Sequence, residues 1–359
     1  MDLCKAFLVT IQDIGINLKN RKYKVGIAGF GVVGKRRFQI LRKKRNIHII
    51  SICDKTFNFK TKTKNNVQYF NNFSDLIIKT DIDILFVCLT NDVAPLATMM
   101  ALNNGIHVFC EKPPGRNVKD IKKVIRVENK KRNLKLMYGF NHRYHDSVIE
   151  ALKIVNEKKL GKIINIKGVY GKSQMINFNS TDWRTKRKIA GGGILLDQGI
   201  HIVDLIRLFA GEFIVMSSIV SNNFWNYDVE DNAYALIKSS SGVVGMIHSS
   251  ATQWRHKFSL DINLEKGSIN LSGILSGSKS YGEETLTLIK SNPVKDKGIP
   301  KEKIFSYKKD SSWEREIDSF MHSIIYDKDV KNGNSNDALA TMKLVENIYK
   351  SDKEWKKKL

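Results

Sequence analysis

Short apolar runs alternate with helix-periodic segments along the first part of the chain. The apolar runs are Tyr23–Gly29, His48–Asp54, Ile82–Thr90, Gly105–Cys110 and Lys135–Phe140. They lack a regular polar face, which is typical of strands in a parallel sheet that helices cover on both sides. Helical periodicity fills the intervals, as in Val32–Lys44. The pattern predicts an α/β domain with a doubly wound parallel sheet over residues 23–141.

The pattern changes to an alternation of apolar and polar positions after residue 142. The alternating runs are Lys162–Lys172, Phe213–Ser221, Asp231–Lys238, Val243–Ser250, Phe258–Leu264 and Ser268–Ser272. Such strands form antiparallel sheets with one face toward the core and the other toward solvent or a partner. We expect helices at Val148–Glu157, Ile194–Phe209, Trp313–Asp327 and Asn336–Lys350. Residues 142–359 therefore predict an α+β domain with a large, mostly antiparallel open sheet.

Residues 1–22 precede the first predicted strand and are interpreted as an N-terminal extension. Acidic residues flank their short apolar stretch and no small-residue cleavage site follows, which argues against a signal peptide. No apolar run reaches the roughly 18–20 residues that cross a bilayer, so we expect no membrane partner. The four cysteines form no C-x-x-C pair, so we expect no metal site and a reducing, cytoplasmic compartment.

The formal net charge of +24 raises the question of anionic partners. The densest basic groups are Lys35–Arg37 with Arg42–Arg45, Lys119–Arg132 and Lys353–Lys358. Each group contains at most one aromatic residue, Phe38 or Trp355, and lacks the repeated aromatic positions that a single-strand binder requires, so we expect no nucleic acid. The milder interpretation is a basic surface that attracts small anions, including dinucleotides and nucleotide sugars.

The segment Gly29-Phe30-Gly31-Val32-Val33-Gly34 follows a strand and opens a helix, as the G-x-G-x-x-G turn of dinucleotide-binding folds does. The first glycine makes the turn, the second admits the pyrophosphate, and the third packs helix on strand. Asp54, 20 residues beyond Gly34, can accept the ribose hydroxyls and repels a 2′-phosphate. The segment predicts a Rossmann domain that prefers NAD to NADP, and Lys55 partly offsets the repulsion.

Two further segments carry candidate proton-transfer residues. Lys112 follows the strand Gly105–Cys110, and ligands of a doubly wound sheet collect at the carboxyl ends of its strands. Asp197 and His201 are spaced i, i+4 and share one helix face. A histidine can take the hydroxyl proton of a carbinol during hydride removal, and a carboxylate can support its charged form. The preceding glycines, Gly191–Gly193, are expected to let a cofactor or substrate approach the backbone.

Five motifs, in this order, resemble the Gfo/Idh/MocA family (glucose–fructose oxidoreductase, inositol dehydrogenase and rhizopine catabolism protein). They are the glycine turn, Glu111-Lys112-Pro113, Gly139–Tyr144, Asp182-Trp183-Arg184 and Gly191–Asp204. The match runs from about Lys22 to Ser272. The resemblance implies an NAD(P)-dependent dehydrogenase acting on CH–OH groups, with Lys112, Asp197 and His201 as its catalytic set. It also implies a second domain that binds substrate and forms homodimers or homotetramers through its sheet.

The glycine turn and the resemblance together assign further residues. Those assigned to the cofactor are Gly29, Phe30, Gly31, Val32, Val33, Gly34, Asp54, Lys55, Thr90, Asn91, Glu111, Lys112, Trp183 and Arg184. Those assigned to the substrate are Lys112, Arg143, Asp197 and His201. The family often has proline after the threonine, whereas here Asn91 follows it and the proline comes later, at Pro95.

The substrate class is less determined. The family acts on sugars, cyclitols, sugar phosphates and nucleotide sugars. Cations near or after the motifs are Arg143, Arg184, Lys186, Arg187, Lys188 and Arg255. Guanidinium groups suit phosphate, which favours an anionic or nucleotide-linked sugar in surface-glycan biosynthesis, although these charges could equally be only solvated. Two other functions stay open: transient use of NAD without net redox change, as in the family's glycosidases, and NAD sensing without turnover.

Overall fold

The computed structural model describes residues 21–173, 182–277, 279–291, 293–296 and 298–358. The N-terminal extension lies outside these residues, except for Arg21 and Lys22. The chain divides into two compact units. The first comprises Met1–Pro114, Lys119–Gly139 and Glu314–Ser335, and the second comprises Gly115–Val118, Phe140–Trp313 and Asn336–Leu359.

The first unit contains a seven-stranded sheet in the order β3-β4-β2-β1-β5-β6-β7. The strands are β1 (Tyr23–Ala28), β2 (Ile47–Cys53), β3 (Thr61–Lys64), β4 (Val67–Phe70), β5 (Ile84–Val87), β6 (His107–Glu111) and β7 (Leu136–Gly139). The first four α-helices among the described residues are α1 (Val32–Leu41), α2 (Phe73–Lys79), α3 (Ala94–Asn103) and α4 (Val118–Glu128). Only β3 runs antiparallel to its neighbour. The predicted doubly wound parallel sheet is confirmed.

The second unit contains an eight-stranded sheet in the order β15-β14-β13-β12-β8-β11-β10-β9. The strands are β8 (Ile163–Gly171), β9 (Phe213–Ser221), β10 (Asn232–Ser239), β11 (Val244–Ser250), β12 (Lys257–Leu264), β13 (Gly267–Ser272), β14 (Glu284–Lys290) and β15 (Glu302–Tyr307). The remaining α-helices are α5 (Asp146–Asn156), α6 (Arg187–Ala190), α7 (Ile200–Ala210), α8 (Pro293–Asp296), α9 (Ser312–Ile325), α10 (Ser335–Ser351) and α11 (Lys353–Lys356). Only β8 and β11 pair in parallel, so the expected mostly antiparallel sheet is confirmed.

The two faces of the second sheet have different environments. Along β10, Ala233, Ala235 and Ile237 are buried, whereas Tyr234 and Leu236 are more than two-fifths exposed. Helix α7 packs on the buried face, where a Cβ on Gly168 of β8 would lie only 2.4 Å from the Ile202 side chain. Apolar and polar positions therefore alternate along these strands because a helix covers one face of the sheet and the other face is open.

Residues 314–335 group with the first unit, whereas the sequence division placed all of 142–359 in a second domain. The reason is side-chain packing. Phe320 of α9 makes edge-to-face contacts with Phe86 and Phe109, at ring-centroid distances of 6.2 and 5.6 Å. Phe86 and Phe109 stack on each other at 5.0 Å. A helix late in the chain thus completes the core of the first sheet.

The segment Arg187–Ala210 has the length and mean hydropathy, 1.4, of a membrane span, which inspection of the sequence did not single out. However, 78% of its apolar window is buried inside the protein. Core helices share this composition, and α7 is such a helix because it lies between the sheet and the rest of its unit.

A buried guanidinium links α1 to other elements of the first unit. The fully buried Arg37 donates from Nε to Glu111 Oε1 at 2.6 Å and from Nη2 to Glu316 Oε2 at 2.7 Å. Burial alone would lower the pKa of Arg37, but the two carboxylates outweigh it and raise the pKa. Because Glu111 ends β6, this network fixes the residue that precedes Lys112.

Replacing this cation should destabilise the fold. We expect Arg37→Met to lower the free energy of unfolding by about 3–5 kcal/mol, because two carboxylates lose their buried cation. Lys44→Met is the matched control: Lys44, in the turn after α1, pairs with Asp318 of the same helix α9, and the Asp318 side chain is 63% exposed. An exposed pair contributes about 1 kcal/mol or less. Urea denaturation measures both losses, and equal losses would contradict this account.

Candidate active site

The three glycines of the dinucleotide turn have different surroundings. Gly29 has a φ of +94°, and a Cβ there would lie 2.2 Å from the carbonyl oxygen of Cys88. A Cβ on Gly34 would lie 1.9 Å from the carbonyl oxygen of Gly29. By contrast, a Cβ on Gly31 would meet no atom within 4 Å. Packing therefore requires glycine at 29 and 34, whereas Gly31 faces open space at the start of α1, where a pyrophosphate fits.

The Asp54 carboxylate is oriented toward this turn. Its Oδ2 accepts from the Phe30 backbone N–H at 2.6 Å, and its Oδ1 accepts from the backbone N–H and hydroxyl of Thr56 at 2.9 and 2.7 Å. Burial would raise the pKa of Asp54, but the hydrogen bonds from Thr56 and Phe30 and the adjacent Lys55 outweigh it and lower the pKa. A fixed, charged carboxylate at the end of β2 suits a ribose diol.

The loop after β5 contains Thr90 and Asn91. The Thr90 hydroxyl donates to Asp92 Oδ1 at 2.6 Å, and the Thr90 carbonyl accepts from the amides that begin α3. Asn91 is buried. Pro95 lies in the first turn of α3, where proline suits helix geometry, so the shifted proline serves the helix and not the loop.

Glu111 and Lys112 occupy the carboxyl end of β6, and the Lys112–Pro113 peptide bond is cis. Glu111 was expected near the nicotinamide ribose. In the structure its Oε1 accepts from Arg37, and its Oε2 lies 2.9 Å from where a Cβ on Gly139 would stand. This packing indicates that Glu111 fixes the end of β6. Lys112 is the first residue beyond that end.

The glycine run of the second unit packs against the protein itself. Cβ atoms on Gly191, Gly192 and Gly193 would lie 2.3 Å from the Arg116 carbonyl oxygen, 2.3 Å from the Tyr349 hydroxyl and 2.0 Å from the Glu230 carbonyl oxygen. The expectation that these glycines make room for a ligand is therefore corrected. They let the chain pass closely under its own backbone and side chains.

Glu230 holds the start of the segment that carries Asp197 and His201. This fully buried carboxylate accepts from the backbone N–H groups of Gly193 and Leu195 at 2.7 and 2.9 Å, and from the Tyr349 hydroxyl at 2.7 Å. Burial raises the pKa of Glu230, although these hydrogen bonds oppose the shift. The amides at a helix start have no partner within the helix, and Glu230 supplies one.

Asp197 lies in a wide π-helical turn, Leu195–Gly199, and His201 lies in the first turn of α7. The expected regular helix over 194–209 is therefore interrupted, and such turns occur frequently at functional sites. His201 is 4% exposed, whereas the Asp197 side chain is 17% exposed. The two side chains remain about one turn apart along the helix.

Two cations face the Asp197 carboxylate. Lys172 Nζ lies 3.7 Å from Oδ2, and Arg184 Nε lies 3.6 Å from Oδ1. Arg184 also places its guanidinium 4.2 Å from the Trp183 ring centroid. Lys172 is 4% exposed and follows β8. Sequence reasoning identified Trp183 and Arg184 but missed Lys172, for which the only signal was a lysine ending an alternating run.

Arg143, assigned to the substrate from the sequence, is engaged by carboxylates of its own unit. Its Nε and Nη2 donate to the two carboxylate oxygens of Asp204 at 2.7 Å each, and its Nη1 donates to Asp337 Oδ2 at 2.7 Å. Arg143 is 5% exposed. Burial would lower the pKa of Arg143, but the two carboxylates raise it. A guanidinium engaged in this way is a structural clamp on α7.

Within the described ranges, no group of three or more histidine, cysteine, aspartate or glutamate side chains could hold a metal ion. The cysteines that these ranges contain, Cys53, Cys88 and Cys110, are free thiols.

Two family profiles match the sequence. Residues 23–140 match an oxidoreductase family with an NAD-binding Rossmann fold, and residues 148–270 match the GFO/IDH/MocA C-terminal domain. The chain belongs to the Gfo/Idh/MocA oxidoreductase family. Its NAD-binding domain is the one in which the glycine turn and Asp54 lie.

Curated relatives are distant. Levoglucosan dehydrogenase of Pseudarthrobacter phenanthrenivorans is 25% identical over 206 residues, which is 50% of this chain and 52% of that protein. The chain thus spans about half the length of this relative. Inositol 2-dehydrogenase of Salmonella typhimurium is 21% identical over 269 residues, 71% of this chain and 75% of that protein.

Solved structures extend the likeness over nearly the whole chain. Levoglucosan dehydrogenase in complex with NADH and levoglucosan has a TM-score of 0.79 at 19% identity, with 93% of this chain and 98% of that chain covered. KijD10, a 3-ketoreductase from Actinomadura kijaniata in complex with NADP and TDP-benzene, has a TM-score of 0.75 at 16% identity, with 91% and 96% covered. At these identities the likeness shows the fold.

The Asp54 geometry makes a prediction about cofactor choice. We expect the wild type to bind NADH more tightly than NADPH, and Asp54→Ala to weaken NADH by about 10–100-fold, because a charged hydrogen bond contributes about 1.5–3 kcal/mol. Thr56→Val is the control, since it removes one hydrogen bond to Asp54 and keeps the charge. Fluorescence titrations with both nucleotides measure the ratio, and equal affinities in the wild type would sink the argument.

Proposed function

We propose that this protein transfers a hydride between NAD and a carbinol carbon of a sugar or cyclitol. The observation that carries the proposal is the segment with Asp197 and His201, whose start is fixed by Glu230. In the other unit of the same chain, Asp54 is oriented toward the glycine turn, where Gly31 faces open space. The named activities of the relatives, on levoglucosan and inositol, support the substrate class.

Each residue of the catalytic set has a distinct task in this proposal. NAD supplies the hydride acceptor when bound. His201 takes the hydroxyl proton as the carbinol is oxidised, because an imidazole titrates near working pH. Asp197 remains an anion between Lys172 and Arg184 and supports the charged imidazole. Lys112 holds the substrate hydroxyl and assists proton transfer. In the reverse direction His201 returns the proton.

We infer further that the substrate is an anionic or nucleotide-linked sugar, as in surface-glycan biosynthesis. Two cations, Lys172 and Arg184, lie beside Asp197, and Arg184 also lies 3.9 Å from the Asp182 carboxylate. A TDP-containing compound is bound in one structure of similar fold. Some of the expected cations are engaged elsewhere: Arg187 donates to the backbone of Asp228 and covers the Trp355 ring.

The free thiols are consistent with a reducing, cytoplasmic setting.

A substrate screen tests the proposal directly. Sugars, cyclitols, sugar phosphates and nucleotide sugars are offered with NAD, and with NADH for their keto forms, and the NADH absorbance is followed. Mass spectrometry of the products distinguishes net oxidation from a reaction without redox change. Absence of turnover with every class would contradict the proposal.

His201→Ala and Lys112→Ala test the catalytic set. We expect each to lower kcat by at least about 10²-fold, the size of one general acid–base contribution, while NADH binding stays within twofold. Lys343→Ala, at an exposed residue of α10 with no proposed role, serves as the control for surface substitution. Retained turnover in His201→Ala would move the proton transfer to another residue.

We propose that the open face of the second sheet forms a homodimer or homotetramer. Large apolar side chains are exposed on its strands: Ile164, Ile214, Met216, Ile219, Tyr234, Leu236, Val244 and Met246. An exposed apolar area of this kind is typical of an interface between protein copies.

A charge on this face should dissociate the oligomer. We expect Met246→Lys to shift the protein toward monomer in sedimentation velocity, because it would bury an unpaired cation. Ile78→Lys is the control at another exposed apolar residue, in α2 of the first unit. A monomeric wild type would refute the interface.

A further inference from the structure

The ring of His201 lies flat against a second histidine. The centroids of His142 and His201 are 3.7 Å apart and the ring planes differ by 13°. Both residues are buried, at 7% and 4% exposure. His142 lies in the short 3-10 turn Asn141–Tyr144, and His201 lies on α7. The stack therefore joins two elements of the second unit through the proposed base itself.

Hydrogen bonds fix the orientation of His142. The Ser312 hydroxyl donates its one proton to Asp310 Oδ1 at 2.6 Å, so its oxygen accepts from Asn141 Nδ2 at 3.1 Å. This places Asn141 Oδ1, an acceptor, 3.2 Å from His142 Nδ1. Nδ1 therefore carries a proton and donates it to Asn141.

The opposite nitrogen and the rest of the ring are also held. His142 Nε2 lies 3.3 Å from the Tyr170 hydroxyl. Tyr170, Phe258 and His145 surround the ring at centroid distances of 5.5, 5.9 and 5.3 Å. The polar groups close to both ring nitrogens and the three neighbouring rings restrict the orientation of His142.

We propose that His142 is the positioning residue for His201: the stack fixes the plane of the His201 imidazole so that its acceptor nitrogen points to the substrate hydroxyl. This inference rests on the proposed function, in which His201 takes that proton. The proton passes from the substrate oxygen to His201 as the hydride leaves the same carbinol for the nicotinamide. The face of a neutral imidazole then lies against the new cation, an arrangement that favours the cation.

Three variants separate stacking from mere folding. His142→Leu removes the flat ring, His142→Phe keeps it without the nitrogens, and His142→Asn keeps a polar group without the ring. We expect kcat to fall at least about tenfold in the Leu and Asn variants, with KM and the NADH dissociation constant within twofold. The Phe variant should recover kcat to within about threefold of the wild type. NADH binding and the Tm verify that each variant is folded.

A second readout does not need turnover. In ¹³C-histidine-labelled protein with NADH bound, ring-current shielding from His142 moves the His201 imidazole resonances upfield, and His201→Ala identifies them. We expect this shift to vanish in His142→Leu and to persist in His142→Phe.

The outcomes distinguish a failure of this inference from a failure of the proposed function on which it rests. A wild type inactive in the substrate screen, or an active His201→Ala, would refute the proposed function. If the wild type is active and His201→Ala is inactive, two results would overturn the role of His142. One is a His142→Leu variant with unchanged kcat, and the other is a loss expressed in KM alone. An unshifted His201 resonance in the wild type would refute the stack.

Discussion

The helix that carries His201 depends on one buried ion pair. Arg143 binds both carboxylate oxygens of Asp204, three residues after His201, and the Thr341 hydroxyl donates to the same carboxylate at 3.1 Å. Taking these charges out of water is costly, and only such complete pairing offsets the cost. The pair fixes the rotation of α7 about its axis, and with it the direction in which His201 points.

A buried charge also fixes the start of the segment that carries Asp197 and His201. Glu230 binds the amides of Gly193 and Leu195, and the glycines allow the backbone to come this close. The stretch with Asp197 and His201 is thus fixed at one end by a buried carboxylate and at the other by a buried guanidinium. In the first unit, Arg37 and Glu111 hold the strand end before Lys112 by similar means. Glu230, Arg143 and Arg37 thus fix, by buried charge, the backbone that presents the candidate residues.

The parts that follow from local pattern could be predicted from the sequence. The apolar runs predicted β1, β2, β5, β6 and β7 of the first sheet, and the alternating runs predicted β8–β13 of the second. The glycine turn with Asp54 predicted the dinucleotide fold. Strand β3, Thr61–Lys64, has no apolar position and could not be recognised by periodicity. Helix α9 joins the first unit through Phe320, a long-range contact that spacing cannot reveal. β14 does alternate, as Thr285-Leu286-Thr287-Leu288, so its signal was present.

The site was harder to predict because residue type does not show what a side chain already binds. Arg143 and Glu111 lie in motifs that suggest ligands, yet both are engaged by carboxylates or guanidinium groups of the protein. Lys172 and His142 carried no distinctive spacing, and only the fold brings them to Asp197 and His201. The π-helical turn was also hidden, since one residue of extra width over a single turn leaves apolar spacing nearly unchanged.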